Sequence, residues 1–193
     1  MIFDEVKTLS DGRKYIKCET SRIKLKSIVL EDDFQADDNV TMQLTESTKD
    51  IVSQYDTEII QAAQNNSEAW FGRKLSDKKI SSVYTPGVTE DGVMACEKAR
   101  ERGTVMVRAF NKDQTAVQLD DVRKGMTCHV CIELLGVMIY QKNFTPLWKV
   151  VQVMIVPTPK TIRHSRYTDE CMFDEEDMQD MPDVSGGESD DEP

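Results

Sequence analysis

Residues 124–157, KGMTCHVCIELLGVMIYQKNFTPLWKVVQVMIVP, constrain the fold more than any other stretch, because they predict two long strands joined by a short turn. Alternate residues of the first strand are apolar, interrupted only by Gly136, whereas its opposite face is mixed. This alternation is typical of a sheet with one buried side. Residues 141–146 are expected to form the turn, and a valine-rich strand returns over 147–156. Gly136 in mid-strand predicts the sharp bend that closes a small barrel.

The charge of the chain is unevenly distributed. There are 35 acidic and 24 basic residues, but twelve of the acids and none of the bases lie in residues 169–193. The preceding 168 residues therefore hold the remaining 23 acids against 24 bases, a formal charge of +1. The sequence predicts a nearly neutral body followed by a disordered, solvated acidic tail of the kind that binds partners.

The cysteine content and the hydropathy pattern indicate the cellular compartment in which the protein is expected. Five scattered cysteines, an odd number, do not make a disulfide framework and favour a reducing, intracellular compartment. No stretch has 18 consecutive apolar residues, and residues 1–12 lack a basic segment followed by an apolar run. We therefore expect neither a membrane span nor a secretory signal.

Residues 13–30 alternate between basic and aliphatic side chains. Arg22, Lys24 and Lys26 share one parity, whereas the aliphatic residues, including Val29, lie mainly on the other. A strand with this pattern buries one face and presents a row of positive charge on the other. The row fits an edge strand protected by lysines and a ligand-binding face equally well, and the strand alone does not decide between them.

The one clear helical pattern spans residues 47–66, with apolar residues at helical spacing and Ser47 or Thr48 as its cap. Its apolar stripe is expected to pack against the core. A short strand is expected before it at residues 40–44, and residues 88–102 read as a charged loop with a short helical turn.

Aromatic and basic side chains are interleaved after the helix, from Trp70 to Tyr84. Bases stack on aromatic rings while cations meet phosphates, so this composition suits nucleic acid. Trp70 is expected to be core, whereas Arg73 and Lys74 are open to a binding role or to simple solvation.

A hairpin is predicted over residues 104–110 and 115–119. On its first strand Arg108 and Phe110 are two residues apart and share a face with Met106, opposite three smaller apolar residues. An arginine beside an aromatic ring on one strand face forms a small stacking platform for a base.

No motif in the sequence supports catalysis or metal binding. Cys128 and Cys131 form a C-x-x-C pair, but no second half-site accompanies it, and residues three apart on a strand face opposite sides. Two histidines give no catalytic triad, and no glycine-rich phosphate loop is present. We therefore expect no enzyme activity, no metal and no cofactor.

Three stretches resemble a known family. They are WFGRK at residues 70–74 with VYTP at 83–86, GVMIY at 136–140 followed by LWKVVQV at 147–153, and the acidic tail. Together they are similar to the acidic-tailed, OB-fold single-stranded-DNA-binding proteins of short-tailed phages and, more closely, of nucleocytoplasmic large DNA viruses. The resemblance covers roughly the second half of the chain.

The resemblance implies a mainly β fold with an inserted helix: an OB-fold-like five-stranded barrel over residues 13–157. A flexible lead-in at 1–12, a basic hinge at 158–168 and the disordered acidic tail at 169–193 complete the expected organisation. The implied function is sequence-independent binding of single-stranded DNA during viral genome replication, recombination or repair, in the host cytoplasm or nucleus. The expected DNA-binding residues are Arg22, Lys24, Lys26, Arg73, Lys74, Tyr84, Arg108 and Phe110.

The tail is expected to compete with DNA for the basic groove and to recruit replication proteins through its hydrophobic residues Met172, Phe173 and Met178. Homo-oligomerisation is left open. An alternative is an acidic-tailed virion or chaperone-like interaction module that does not bind DNA, and a nuclease is a weaker third reading.

Overall fold

The computed structural model describes residues 1–19 and 22–157. The predicted basic hinge at 158–168 and the tail at 169–193, with Met172, Phe173 and Met178, lie outside the described residues. The strands are β1 Lys7–Thr8, β2 Lys14–Lys17, β3 Arg22–Leu30, β4 Asn39–Gln43, β5 Val93–Lys98, β6 Arg100–Glu101, β7 Thr104–Val105, β8 Arg108–Phe110, β9 Ala116–Val117, β10 Thr127–Ile139 and β11 Phe144–Ile155. The helices are α1 Glu46–Asn65, α2 Ser67–Phe71 and α3 Asp77–Ser82, with a 3-10 turn at Leu119–Asp121.

Five strands close into a ring in the order β3, β4, β5, β11, β10 and back to β3. Every pairing in the ring is antiparallel except that of β5 with β11, which is parallel. A closed, five-stranded Greek-key barrel of this kind is an OB-fold. The predicted fold class, a mainly β barrel with an inserted helix, is therefore confirmed.

The long hairpin forms as predicted, with β10 and β11 paired from Cys128 opposite Ile155 to Ile139 opposite Phe144. The apolar face of β10 from Cys128 to Leu134 is buried in the core. The returning strand begins at Phe144, earlier than expected, so that Pro146 lies inside it rather than in the turn. Proline is tolerated near the beginning of a strand, where fewer ladder hydrogen bonds are lost.

Gly136 is the point at which β10 changes partners. The strand pairs with β3 up to Glu133 and with β2 from Gly136 onward. Gly136 has φ +151°, and a Cβ built on it would lie 2.0 Å from the carbonyl oxygen of Ile16. Only glycine allows two backbones to approach this closely. The register of β10 against β11 also shifts beside Gly136, so the residue marks an irregularity in the strand, and the sharp bend stays a prediction.

β3 lies between β10 and β4, but it pairs with β4 only through Val29 and Leu30. Among the described residues, the part that carries the three cations is paired on the β10 side alone, so both interpretations of the row stay open. Arg22, Lys24 and Lys26 are exposed on its outer side, as predicted. Ser27 has φ +56°, and the register against β10 shifts beside it, which marks a bulge. An extra residue reverses the alternation, so Val29 is only half-buried while its two neighbours are buried.

The expected loop at residues 88–102 is wrong, because it contains the barrel strand β5. Its inward residues are Met94, Cys96 and Lys98. Because one of these inward residues, Lys98, is charged, the apolar alternation of the strand was not recognised in the sequence. The Lys98 ammonium donates to the Asp37 carbonyl, and burial lowers the pKa of Lys98.

The helix cap was also misplaced, since Thr45 rather than Ser47 or Thr48 accepts the capping hydrogen bond. The buried face of α1 includes Val52 and Ile59, whereas Ile51 is exposed. Trp70 and Trp148 are buried in the core, as expected. Within residues 1–19 and 22–157, no helix has the length and apolarity needed to cross a membrane.

Candidate nucleic-acid interface

Two adjacent rows of side chains cross the outer wall of the barrel on four neighbouring strands. In the first row, Cys131 of β10 is paired with Lys24 of β3 on one side and with Gln152 of β11 on the other, and Gln152 is paired with Arg108 of β8. Neighbouring strands lie about 4.8 Å apart, and three strand-to-strand steps separate Lys24 from Arg108. Their Cα atoms are therefore about 14 Å apart when measured along the sheet. In the second row, His129, Met154 and Phe110 are paired in the same way.

These rows form an open cleft, called here the β3–β8 cleft. Lys24 and Lys26 stand on one side of it, Phe110 stands on the other, and Arg108 is exposed beside Gln152. No described lining residue is acidic, and among the described residues the three cations form no ion pair. The lining residues are Lys24, Lys26, Phe110, His129, Val130, Cys131, Gln152, Val153 and Met154.

The bulge in β3 shapes this cleft. The backbone N–H of Ser27 donates to Nδ1 of His129 over 3.0 Å. Because Nδ1 accepts this bond, the neutral imidazole carries its proton on Nε2. Before the bulge, ordinary alternation places Lys24 and Lys26 outside the barrel while Leu25 between them is fully buried.

Arg22 lies one row away and is differently placed. Its Nε is 3.2 Å from Oε2 of Glu133, and Nζ of Lys149 is 3.2 Å from Oε1 of the same carboxylate. The Glu133 side chain is only 8% exposed. The group of Arg22, Lys149 and Glu133 therefore carries a formal charge of +1 rather than two free cations.

Tyr84 is tied into the barrel. Its hydroxyl donates to Oδ1 of Asp56 over 2.5 Å, and its ring centroid is 4.9 Å from that of Phe144. Burial raises the pKa of the Tyr84 hydroxyl, and the charge of Asp56 raises it further. Burial also raises the pKa of Asp56, although the bonds from Tyr84 and from the N–H of Gly87 partly oppose this. These contacts favour a structural role for Tyr84, and its stacking on a base stays a prediction.

Arg73 and Lys74 are not in the β3–β8 cleft. They follow Gly72, whose left-handed conformation (φ +72°) ends α2. Arg73 lines a second cleft beside the β10–β11 turn, whereas Lys74 lies next to the end of α1. The structure thus brings together Lys24, Lys26, Arg108 and Phe110, and separates them from the remaining predicted residues.

The usual oligonucleotide face of an OB barrel is poorly suited to DNA here. Oligonucleotides commonly cross the second and third barrel strands and the loops beside them, which in this chain are β4 and β5. Residues 31–38, the loop before β4, contain five acids. The outward residues of the two strands are Asn39, Thr41, Gln43, Val93, Ala95 and Glu97, none of them cationic.

Sequence reasoning missed the floor of the cleft, which is made by His129, Cys131, Gln152 and Met154. The sequence feature that could have revealed these residues is the mixed face of the long hairpin. Two of them, His129 and Cys131, are the outward residues of a strand whose inward residues were recognised from their apolar alternation.

Comparison with known proteins identifies a family whose function is unknown. The family model described as "Family of unknown function (DUF5871)" matches residues 26–175, so the chain belongs to that family. No curated protein sequence matches the chain.

Three similar solved structures are of one bacteriophage protein. The chain is similar to the single-stranded DNA-binding protein from bacteriophage Enc34, with 11% identity over 91% of this chain and 94% of that one, at a TM-score of 0.46. The same protein in complex with ssDNA gives 10% identity, 80% and 91% coverage and a TM-score of 0.45. Its C-terminal truncation gives 9% identity, 78% and 92% coverage and a TM-score of 0.45. These likenesses are too distant to assign a function.

Proposed function

We propose that this member of the family binds single-stranded DNA, without sequence preference, on the β3–β8 cleft. The observation that carries the proposal is the meeting of Lys24, Lys26, Arg108 and Phe110 on one face that no described acid lines. Lysine and arginine neutralise phosphates, and an aromatic ring stacks on any base, because every base has a π-face.

The cleft suits a single strand better than a duplex. Phe110 is half-buried and lies among side chains of the cleft floor, so it reaches only a base that has left the stack of a double helix. A groove of cations along the backbone together with such a ring is the usual arrangement for binding without sequence readout.

The wider role is proposed from the sequence resemblance. It includes a place in viral genome replication, recombination or repair in the host cytoplasm or nucleus. The tail, residues 169–193, would compete for the cleft, because twelve carboxylates tethered to the barrel act at an effective concentration that can reach about millimolar. Met172, Phe173 and Met178 would then anchor replication proteins, and self-association remains compatible with the site.

The test is a fluorescence titration of the full-length chain with labelled oligo-dT and with a duplex of equal length. We expect salt-dependent binding that favours the single strand. Phe110→Ala should weaken it by about 5- to 140-fold, the equivalent of 1–3 kcal/mol per stacked base. Met106→Ala is the matched control, since Met106 is an exposed residue of the same segment that does not line the cleft.

Deleting residues 169–193 should tighten binding at low salt, with a gain that shrinks as ionic strength screens both contacts. Unchanged or weaker binding by the truncated chain would remove competition by the tail. If neither form bound any oligonucleotide, the proposal would fail and the chain would fit an acidic-tailed interaction module instead.

A further inference from the structure

A second basic cleft lies between the helical insertion and the turn of the long hairpin, and is called here the insertion cleft. Four cations line it: Lys14 of β2, Arg73 after α2, Lys79 of α3 and Lys142 in the β10–β11 turn. Its volume is about 560 Å³, and no described lining residue is acidic. None of the four forms an ion pair within residues 1–19 and 22–157.

The walls of the insertion cleft are fixed by local hydrogen bonds. Ser76 caps α3 by accepting from the N–H of Lys79 over 3.3 Å. In the opposite wall, the N–H of Tyr140 donates to the carbonyl of Asn143 over 2.8 Å, and the Asn143 side chain donates to Thr85 over 2.9 Å. Lys79 and Lys142 are thus mounted on hydrogen-bonded segments, which reduces the entropy lost when they order around a ligand.

Tyr140 gives this cleft an accessible aromatic ring. It is 40% exposed at the edge of the hairpin turn, and the guanidinium of Arg13 lies 5.9 Å from the ring centroid. Behind it the cleft has an apolar floor that includes Phe71 and Phe144. Exposed ring, apolar floor and unpaired cations match the two chemical parts of a single strand, which are bases and phosphates.

We propose that the insertion cleft is a second subsite for the same DNA strand that occupies the β3–β8 cleft, with Tyr140 stacking on a base and Arg73 and Lys142 on phosphates. This inference rests on the proposed function. It extends the strand beyond the barrel wall onto the insertion between β4 and β5.

The spacing of the two clefts fits one strand. Along β10 the first cleft lies at Cys131 and the second at Ile139, eight residues further on, a contour length of at most about 26 Å at 3.3 Å per residue. About eight nucleotides span this distance at the stacked rise of 3.4 Å, within the range of roughly 4–16 nucleotides for an OB-fold. Between the clefts lies a row of zero formal charge, which does not repel the strand: Arg22, Glu133, Lys149 and Glu97.

The test compares oligo-dT of about 6 and about 16 nucleotides on the full-length chain. The variant is Arg73→Ala with Lys142→Ala, and the control is Lys78→Ala, which removes the exposed neighbour of Lys79 that does not line the cleft. For the 16-mer we expect the log–log salt slope to fall by about 1.4, or 0.7 for each lost phosphate contact. The 6-mer should change by no more than about twofold in affinity, since it is accommodated by the β3–β8 cleft alone.

A separate pair of variants tests the ring. Tyr140→Ala should weaken binding of the 16-mer by about 5- to 140-fold, and Tyr140→Phe should restore it. Thermal unfolding of each variant by circular dichroism shows whether a loss comes from the fold rather than from the cleft.

The outcomes separate the two proposals. If the wild type binds the 16-mer and the double variant has the same log–log salt slope as the wild type, the subsite is refuted and the proposed function stands. A chain that binds no oligonucleotide would overturn both. A synthetic peptide of residues 169–185 is the remaining probe: if the double variant loses affinity for the peptide but not for the 16-mer, the cleft holds an acidic peptide and the subsite is refuted.

Discussion

Replacing Lys24 and Lys26 with alanine should flatten the salt dependence of oligo-dT binding more than replacing Arg22, although the three residues alternate along one strand face. The reason lies in what each cation already contacts. Arg22 is paired with Glu133, whereas Lys24 and Lys26 have no ion pair among the described residues. A free ammonium that meets a phosphate replaces the counterions of that phosphate, while a guanidinium already facing a carboxylate does so incompletely.

The magnitude follows from the number of contacts. Two phosphate contacts contribute about 1.4 to the log–log slope on a single strand, at roughly 0.7 each. Raising the salt from 50 to 200 mM is a change of about 0.6 log units, so the wild type should lose about sevenfold more affinity than the double variant over this range. Arg22→Ala should change the slope by less than about 0.7.

The assay is the fluorescence titration of full-length wild type and variants at four salt concentrations in that range. Lys7→Ala with Lys49→Ala is the matched control, because it removes the same charge from residues that do not line the β3–β8 cleft. If the double variant kept the wild-type slope, or if Arg22→Ala altered it as much as either lysine, the placement of the phosphates on this face would be refuted.

Two further predictions concern stability. Gly136→Ala should lower the free energy of unfolding by at least about 3 kcal/mol in urea denaturation, because its Cβ would meet the Ile16 carbonyl, whereas Gly72→Ala, with open space around it, should cost only about 1–2 kcal/mol. Burial raises the pKa of Asp56, so its contribution to stability is complete below its unfolded pKa and is lost as the pH rises through its folded pKa. The free energy of unfolding of Asp56→Asn, relative to wild type, should therefore increase as the pH rises above about 4, the usual pKa of an unfolded aspartate, and a difference that does not change with pH would contradict this.

The barrel was predictable where burial follows a local period. The apolar face of β10, the interruption at Gly136 and the outward position of Lys24 and Lys26 all follow from alternation over a few residues. β5 was not predictable in this way, since one of its inward residues is Lys98. Its charge is accommodated by the Asp37 carbonyl and by the Phe34 ring, 5.3 Å from the ammonium, and neither contact is visible in the sequence.

The candidate site was predictable only in parts, because parity along a strand does not say which strands are neighbours. Arg108 and Phe110 were recognised as a platform, but their distance from Lys24 depends on the parallel pairing of β8 with β11 and on the register of β11 with β10. The sequence grouped Arg73 and Tyr84 with them on composition alone. The structure places Arg73 in the insertion cleft and bonds Tyr84 to Asp56.

The distribution of charge around the barrel gives the two clefts a common physical basis. Phosphates are repelled from the loop at residues 31–38, where five acids lie before β4, and the outward faces of β4 and β5 offer no cation in return. The cations of the two clefts lie elsewhere. Lys24 and Lys26 are on β3 beside one end of β10, and Arg73 and Lys142 are on the insertion and in the β10–β11 turn near its other end. Under the proposed function, a single strand drawn to this surface would follow β10 rather than cross β4 and β5. The helices inserted between β4 and β5, which a minimal barrel does not need, form the wall that makes the second half of this path.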